Sequence, residues 1–276
     1  MRLDWLGNLF WVFVFIVAIA PFIQRRNREL RRTGGLQRLA RARDSQAIAL
    51  IARRETYQFL SFPLFNRDVI DSSESVLREI ARTPGTMPLD LILHVPPGFS
   101  VAAEQIAHAL IRHPARVTVF VPHYALEGGT LIALAADEIV LDPNAVLGPI
   151  APRVGPYPAV SVLAAYQEKQ GTALDDHTLI LADQARKALG QTRALIAELL
   201  QARGMEAERA PEVAAILTGE GWTPHYPILF EEAQRLGLPV SDELPAGVHA
   251  LMELYDFQPA LRPSTSYVTL TPPQEG

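Results

Sequence analysis

The chain has 276 residues, of which 49% are hydrophobic and 20% are charged, and its formal net charge is -5. This length supports one large domain or two small ones, and the composition is that of a folded protein with a sizeable core. The negative charge predicts no nucleic-acid partner, and the absence of cysteine excludes disulfides, thiol catalysis and cysteine-ligated zinc.

The first predicted element is a membrane-spanning helix at Trp5–Ile23, which holds no charged residue and is long enough to cross a bilayer. It lacks the basic start and the small-residue cleavage site of a signal peptide. Several arginines follow within residues 25–32, and such a cluster places the C-terminal bulk in the cytoplasm. The sequence therefore predicts a single-pass protein of the cell membrane with a cytoplasmic domain. The alternative is a hydrophobic helix buried in an oligomer.

Residues 26–43 have a basic, helical pattern beside the predicted anchor. They either contact anionic lipid headgroups or serve only as the topology signal, and the second interpretation is preferred. We therefore divide the chain into an anchor with a juxtamembrane helix at residues 1–44, a globular domain at residues 45–258 and a proline-rich tail at residues 259–276.

The domain is predicted to begin with alternating strands and helices. In chain order these are a strand at Gln46–Ile51, a helix at Ser73–Ala81 capped by Ser73, a buried strand at Leu89–His94, a break at Val95–Gly98 and a helix at Val101–Ile111. This order predicts right-handed crossovers and a parallel sheet.

The stretch at residues 117–141 organises the domain. It predicts a strand at Val117–Pro122, an elbow at His123–Gly129, a small-residue helix at Thr130–Ala136 and a strand at Glu138–Leu141. Glycines at 128 and 129 permit a tight turn, and they open a helix whose N–H groups favour an anion or an oxyanion. The residue that this elbow presents is Glu127.

The rest of the chain is predicted to be mostly helical. An extended loop at Pro143–Pro152 is followed by helical sequence from Ser161, a long helix at Asp175–Arg203 with a possible kink at Gly190, and helices at Glu212–Leu217 and Phe230–Leu236. Gly237 is the predicted C-cap of the last helix. The tail from Pro259 is expected to be poorly ordered.

Several motifs resemble the serine dehydrogenase proteinase family, a membrane-anchored group related to signal peptide peptidase A and more distantly to Clp protease and crotonases. They include HVPPG, VTVFVPHYALEGGTLIALAADEIVLDPNAVLGP, TLILADQARKAL and LTGEGWTPHYPI. The resemblance covers roughly Trp5 to Tyr267. It implies an α/β fold of the ClpP/crotonase type, a β-β-α superhelix, with an N-terminal transmembrane helix. It also implies a homo-oligomer and a polypeptide substrate or client.

The resemblance also assigns catalytic positions, at which this sequence departs from the family. The serine nucleophile position holds Glu127, while Lys187 stands where the lysine base is expected. The oxyanion-hole and substrate-binding backbone falls at Gly98, Gly128 and Gly129. Pro97 replaces an expected glycine of that loop and has no N–H to donate. Ala151 replaces an aspartate of the family pattern.

Three functions remain open. The first is a binding or scaffold protein with lost or much reduced peptidase activity, because a carboxylate is a poor nucleophile and favours a charged, less basic lysine. The second is an active peptidase that uses another serine, with Ser100 the nearest candidate. The third is a crotonase-like acyl-CoA enzyme in which Glu127 is an acid or base. Whether the chain is an enzyme is therefore left open.

Simpler structural roles are also possible for the same residues. Glu127 would then cap the following helix, and Lys187 would be solvated or ion-paired. His94 ends a strand at a place where ligands bind in parallel sheets, but no metal-ligand spacing accompanies it, and His123 is expected to support the elbow. The sequence predicts neither a metal nor a cofactor.

Overall fold

The computed structural model describes residues 23, 26–52, 58–59, 62–63, 69–98, 100–169 and 175–255. The predicted anchor at Trp5–Ile23 lies outside these residues except for Ile23, and the tail from Pro259 lies outside them entirely. Within the described ranges, no helix combines the length and the apolar character needed to cross a membrane.

Strands and helices are mixed as far as the strand at Glu138–Leu141, after which come short strands and then mainly helices. In chain order they are α1 (26–43), β1 (Gln46–Ile51), β2 (Gln58–Phe59), β3 (Phe62–Pro63), α2 (Val69–Arg82), β4 (Leu89–His94), α3 (Ser100–Ile111), β5 (Val117–Val121), β6 (Tyr124–Ala125), α4 (Gly128–Ala133), β7 (Glu138–Leu141), β8 (Val146–Leu147), β9 (Arg153–Val154), β10 (Tyr157–Pro158), α5 (Ala159–Glu168), α6 (Asp176–Ala202), α7 (Arg209–Leu217), α8 (Phe230–Arg235), β11 (Val240–Ser241) and α9 (Ala246–Glu253).

The centre of the fold is a five-stranded parallel sheet with the strand order β1-β4-β5-β7-β11. Strands β4 and β5 are buried at every residue, as expected of strands that are covered on both faces. The register pairs Leu91 with Val119 and Val119 with Ile139, so that the three central strands start level with one another. This arrangement confirms the predicted α/β fold with a parallel sheet.

Helices cover both faces of the sheet. On one face, α2, α3, α4, α6 and α7 contribute to the larger apolar core. On the other face, α1 and α9 form a smaller core in which Leu39 packs with Ile92, Phe120 and Val248. Helix α1 is therefore packed against the sheet, and Arg43 at its end pairs with the buried Asp90 of β4 at 2.6 Å.

The predicted boundaries of α2 and β5 differ from the structure for local reasons. Helix α2 begins at Val69, so Ser73 is buried inside the helix and is not its cap. The apolar Val69 and Ile70 stand seven positions before Val76 and Leu77 and extend the helical spacing beyond Ser73. Strand β5 ends at Val121, one residue before the prediction, because Pro122 has no N–H for the sheet ladder.

Helix α4 begins at Gly128, two residues earlier than predicted, and ends at Ala133. The early start follows from the N–H of Leu131, which donates to the Glu127 carbonyl at 3.0 Å and closes the first turn there. Short elements were missed altogether. Strand β8 lies inside the loop predicted at residues 143–152, and β11 and α9 had no predicted counterpart.

The predicted cap at Gly237 is confirmed, although α8 ends at Arg235, one residue before the predicted end. Gly237 has a φ of 78°, a backbone conformation that favours glycine. Its N–H donates to Gln234 at 2.9 Å, and the N–H of Leu238 donates to Ala233 at 3.1 Å. These two bonds form a Schellman motif, which satisfies carbonyl groups at the helix end.

The long helix α6 starts after Asp175, whose carboxylate accepts the N–H of Thr178 at 2.9 Å. This hydrogen bond lowers the pKa of the Asp175 carboxyl below its ordinary value, because it stabilises the ionised form. Helix α6 then continues without interruption to Ala202, so Gly190 lies in a helix interior and does not end a segment.

We expect Gly190→Ala to raise the free energy of unfolding by about 1 kcal/mol, because glycine is the poorer helix former. A Cβ at Gly190 would meet nothing within 4 Å, so no packing cost opposes this gain. Denaturant unfolding measures the difference. The control is Gly129→Ala, whose Cβ would lie 3.1 Å from Val95 and from Ala125. A loss of stability in Gly190→Ala would contradict the prediction.

Candidate active site

The elbow after β5 holds Glu127 in a strained backbone conformation. Its φ is 49° and its ψ is -106°, and Asp44 is the one other non-glycine residue with positive φ in the described part of the chain. Such a conformation costs on the order of 1–3 kcal/mol and concentrates at functional sites. A strained turn between a strand and a helix is also how α/β hydrolases expose a nucleophile. The chain therefore keeps a nucleophile-type elbow with a carboxylate in place of the serine.

The side chain of Thr130 connects the elbow to the loop that contains Gly148. The side chain is fully buried, and its hydroxyl oxygen lies 2.8 Å from the Ala125 carbonyl and 2.7 Å from the Gly148 carbonyl. The same oxygen accepts the N–H of Gly148 at 3.0 Å. The sequence pattern does not indicate this role of Thr130, since a threonine after two glycines carries no signal that it joins two loops.

The loop after β4 runs beside the elbow. The N–H of Val95 donates to the Tyr124 carbonyl at 3.2 Å, and the N–H of Leu126 donates to the Val95 carbonyl at 3.0 Å. This close approach requires glycine at position 129, because a Cβ there would crowd Val95. The pairing places the Val95–Gly98 loop next to Glu127, as the family resemblance implies for an oxyanion loop.

The carboxylate of Glu127 contacts this loop directly. Its Oε2 accepts the backbone N–H of Gly98 at 2.8 Å, and Gly98 has a φ of 102°, which a side chain would strain. Glu127 occupies the N-cap position of α4, as the alternative expected, but its side chain accepts no capping hydrogen bond from the helix. The N–H of Gly129, expected to face a ligand, instead donates to Leu126 at 2.8 Å.

Lys187 lies on the exposed surface of α6. Its Nζ is 2.6 Å from Asp183 Oδ2, and its side chain is 69% exposed. Within the described part of the chain, this ammonium pairs with Asp183 and not with Glu127. The ion-paired alternative therefore matches the geometry, and an exposed pair of this kind contributes about 1 kcal/mol or less. The other lysine, Lys169, is exposed at the C-terminal end of α5.

Three aromatic rings meet where β4 and β5 end. His94 is 2% exposed, and its ring centroid lies 4.0 Å from that of Tyr124 and 5.6 Å from that of His123. Among the described residues, no group of histidine and carboxylate side chains has the arrangement of a metal site. These rings pack together at the base of the elbow, which fits the supporting role expected of His123.

The arrangement has a clear chemical consequence. The Gly98 N–H, which the family resemblance assigns to an oxyanion hole, donates to the Glu127 carboxylate. A second negative charge at the same place would be repelled, and removal of one oxyanion donor alone costs about a hundred- to a thousand-fold in rate. The same hydrogen bond keeps the carboxylate beside the loop after β4, within reach of a ligand bound there.

A family comparison identifies the type of protein. The sequence model of the ClpP-like SDH-type serine proteinases matches residues 2–275. The uncharacterized protein MJ1495 of Methanocaldococcus jannaschii is 43% identical over 259 residues, which are 94% of this chain and 88% of that protein. The uncharacterized protein MJ0137 of the same organism is 46% identical over 247 residues, which are 90% of this chain and 86% of that protein.

Solved structures show weaker similarity. The 1510-N membrane-bound stomatin-specific protease gives a TM-score of 0.42 at 19% identity, over 67% of this chain and 77% of its own. ClpP1 from Listeria monocytogenes gives a TM-score of 0.41 at 16% identity, over 63% of this chain and 86% of its own. The family match spans nearly all of the sequence, and this chain therefore belongs to the ClpP-like SDH-type serine proteinases.

Proposed function

We propose that this protein binds polypeptide clients in the manner of a serine peptidase while cleaving them very slowly or not at all. The single observation that carries the proposal is the hydrogen bond from the Gly98 N–H to the Glu127 carboxylate at a strained elbow. The strained elbow is present, but it holds a glutamate in place of a serine. The carboxylate of this glutamate is hydrogen-bonded to the loop that the family resemblance assigns to the oxyanion hole.

The chemistry of the carboxylate supports a loss of hydrolysis. Attack of Glu127 on a peptide carbonyl would produce an anhydride, and it would require the carboxylate to leave its hydrogen bond with Gly98. Lys187 supports the same conclusion, because its ammonium pairs with Asp183 at the surface. Without a serine at the elbow and a base beside it, the Ser–Lys mechanism has neither of its two reacting groups.

A serine-directed probe and a peptide-binding assay together test this proposal. We expect the full chain to show no labelling by a fluorophosphonate and no cleavage of casein or fluorogenic peptides, while fluorescence anisotropy detects binding of unfolded peptides. The variant Glu127→Ala should also remain unlabelled. If the wild type cleaves peptides and Glu127→Ala leaves the rate unchanged, the proposal is wrong. If that cleavage disappears in Ser100→Ala, the alternative serine is the nucleophile.

A second candidate is a crotonase-like enzyme that acts on acyl-CoA thioesters. The observation in its favour is the Glu127 carboxylate held beside the loop after β4 by the Gly98 N–H, since a carboxylate placed next to a bound ligand can act as a general acid or base. Thermal shift with CoA thioesters separates this candidate from the first. Stabilisation of the wild type, lost in Glu127→Gln, would favour the acyl-CoA enzyme, whereas no shift with any thioester would eliminate it.

The proposal includes a membrane anchor at residues 5–23 with the domain in the cytoplasm. It is supported by the uncharged sequence of that segment and by the arginines that follow it. A phosphatase that is active only outside the cytoplasmic membrane, fused to the C-terminus, should be silent, and a fusion that works only in the cytoplasm should be active. The reverse pattern would contradict the orientation.

The proposal also includes assembly of several copies of the chain, which the family resemblance implies. The exposed apolar side chains of Leu179 and Ile180 on α6, 43% and 56% exposed, are consistent with such contacts. Light scattering on the full chain in detergent should give a mass of more than one copy after correction for the micelle. A single copy at micromolar concentration would count against assembly.

A further inference from the structure

One side of α1 is fixed to the domain at several points. Leu39 is buried in the core shared with α9. Arg43 Nε lies 2.6 Å from the Asp90 carboxylate, which is 2% exposed. Arg32 Nε donates to the Leu254 carbonyl at 3.1 Å. Because these contacts fix the rotation of the helix about its axis, they also fix the direction in which its opposite side faces.

The opposite side of α1 is lined by arginines. Arg26, Arg31, Arg38 and Arg41 are all exposed, and Leu30 between them is 62% exposed. At about 100° per residue, these five positions fall within about 140° of the helix circumference, which is one side of the helix. We call this surface the α1 arginine face.

The positive charge of the α1 arginine face is not neutralised locally. Among the described residues, none of its four arginines forms an ion pair. The one acidic residue within residues 26–43 is Glu29, which lies about 160° around the helix from Arg31 and about 60° from Arg26, so it neighbours only the first arginine of this face. On the neighbouring α9, Glu253 is the one acidic side chain. The net charge of the whole chain is -5, so this positive surface is a local feature of α1.

We infer that the α1 arginine face binds the surface of a bilayer that contains anionic phospholipids, so that α1 lies along the membrane. Guanidinium groups bind phosphate through paired hydrogen bonds. Arginines close to an anionic leaflet are attracted to it within a Debye length, which is about 10 Å. The exposed Leu30 supplies an apolar side chain that can enter the interface, as in helices that lie on membranes.

The position of this face in the chain selects a membrane as its partner. The uncharged stretch at residues 5–23 ends three positions before Arg26, so the inference rests on the proposed anchor and adds a second contact to it. When α1 lies flat on the membrane, the side of the domain that is formed by α1 and α9 faces the bilayer. The sheet then lies between the membrane and the layer that contains α3 and α4, and the domain has a fixed orientation.

A spin label placed on the α1 arginine face tests this orientation. The chain contains no cysteine, so Gln37→Cys, at an exposed position of the same face, provides a unique labelling site in the full chain. The labelled protein is placed in nanodiscs of phosphatidylcholine alone or with phosphatidylglycerol. A trace of nickel-chelating lipid reports collisions between the label and the headgroups.

We expect collisions at least about twofold more frequent in the phosphatidylglycerol discs, and a fall to the phosphatidylcholine level in high salt, because the attraction is electrostatic. The triple variant Arg31→Gln, Arg38→Gln, Arg41→Gln should show the same fall. The matched control removes three other exposed arginines, Arg78→Gln, Arg112→Gln and Arg186→Gln, with the same change of net charge, and should behave as the parent.

Three outcomes would overturn the inference. One is an equal collision frequency in both lipids, and another is an equal loss in the control variant. The third is unchanged lipid contact in the triple variant together with lost binding to a duplex oligonucleotide, which would assign the face to nucleic acid. Failure of the anchor is distinguishable from all three, because such a chain would be extracted from the discs by alkaline carbonate. If the proposed loss of peptidase activity is wrong, a fluorophosphonate would label the active site, and these collisions would not change.

Discussion

Replacing Glu127 with serine and Pro97 with glycine in the same chain should create peptidase activity that is higher than the activity of either single variant. Glu127→Ser supplies the nucleophile and releases the Gly98 N–H, which now donates to the carboxylate. Pro97→Gly restores an N–H to the neighbouring loop position. We expect the double variant to exceed Glu127→Ser by about tenfold or more, since nucleophile and oxyanion hole act as a unit and their effects do not add.

The assay is cleavage of casein and of fluorogenic peptides, with fluorophosphonate labelling to count active sites. Ala151 remains unrestored, so the activity should stay below that of a complete family site. The control is Glu127→Ala with Pro97→Gly, which restores the loop without a nucleophile and should be inactive. Equal rates in the single and double variants would show that Pro97 does not limit the oxyanion hole.

The double variant also identifies the base. Lys187→Ala should abolish the activity if the lysine expected from the family resemblance is the base. For this to happen, Lys187 would have to leave its ion pair with Asp183. The chain has one other lysine, and Lys169→Ala is therefore the matched comparison. Loss of activity in Lys169→Ala alone would transfer the role of base to the end of α5.

The central sheet could be predicted because its signals are local and strong. The runs at Leu89–His94 and Val117–Val121 are apolar and bounded by proline or glycine, and both are buried strands. The order of the elements then indicated a parallel sheet. The short strands β6, β8 and β11 carry no such signal. Each has two residues, and each exists because tertiary contacts place it beside a partner.

The sequence predicted where in the chain the candidate site lies, but it did not predict the contacts between the residues of the site. The glycines after Glu127 indicated an elbow, and the motifs indicated the neighbouring loop. The contact between Gly98 and the carboxylate depends on a backbone φ of 49° at Glu127, which no residue pattern specifies for a glutamate. The ion pair between Lys187 and Asp183 has the i, i+4 spacing of neighbours on a helix, so the sequence alone is enough to suggest it as an alternative.

Arg203 is the clearest example of a residue whose role the sequence conceals, since it appears there only as a basic residue at the end of a long helix. In the structure its side chain is 11% exposed and joins three separate segments. Its Nε donates to the Ala135 carbonyl at 2.8 Å, and its Nη2 donates to the Leu110 carbonyl at 3.1 Å. Its Nη1 lies 2.6 Å from Asp137 Oδ1.

Substitution of Arg203 should therefore give a much larger loss of stability than substitution of an exposed arginine that pairs within its own helix. We expect Arg203→Met to lower the free energy of unfolding by about 3 kcal/mol, because two carbonyl groups and a carboxylate lose their donor at once. The Asp137 carboxylate also accepts the N–H of Val117 at 2.7 Å, so the loss extends to the start of β5. Arg203→Lys should recover less than half, since an ammonium cannot reach three acceptors in the planar arrangement of a guanidinium.

Denaturant unfolding of the full chain in detergent measures these differences. The control is Arg209→Met, because Arg209 is 45% exposed and pairs only with Glu212 on its own helix in the described part of the chain. Arg209→Met should lower the free energy of unfolding by about 0.5 kcal/mol or less. Equal losses for Arg203→Met and Arg209→Met would mean that the three contacts of Arg203 do not act together in the folded protein. Full recovery in Arg203→Lys would show that charge alone, without the geometry of the guanidinium, stabilises the junction of α3, α4 and α6.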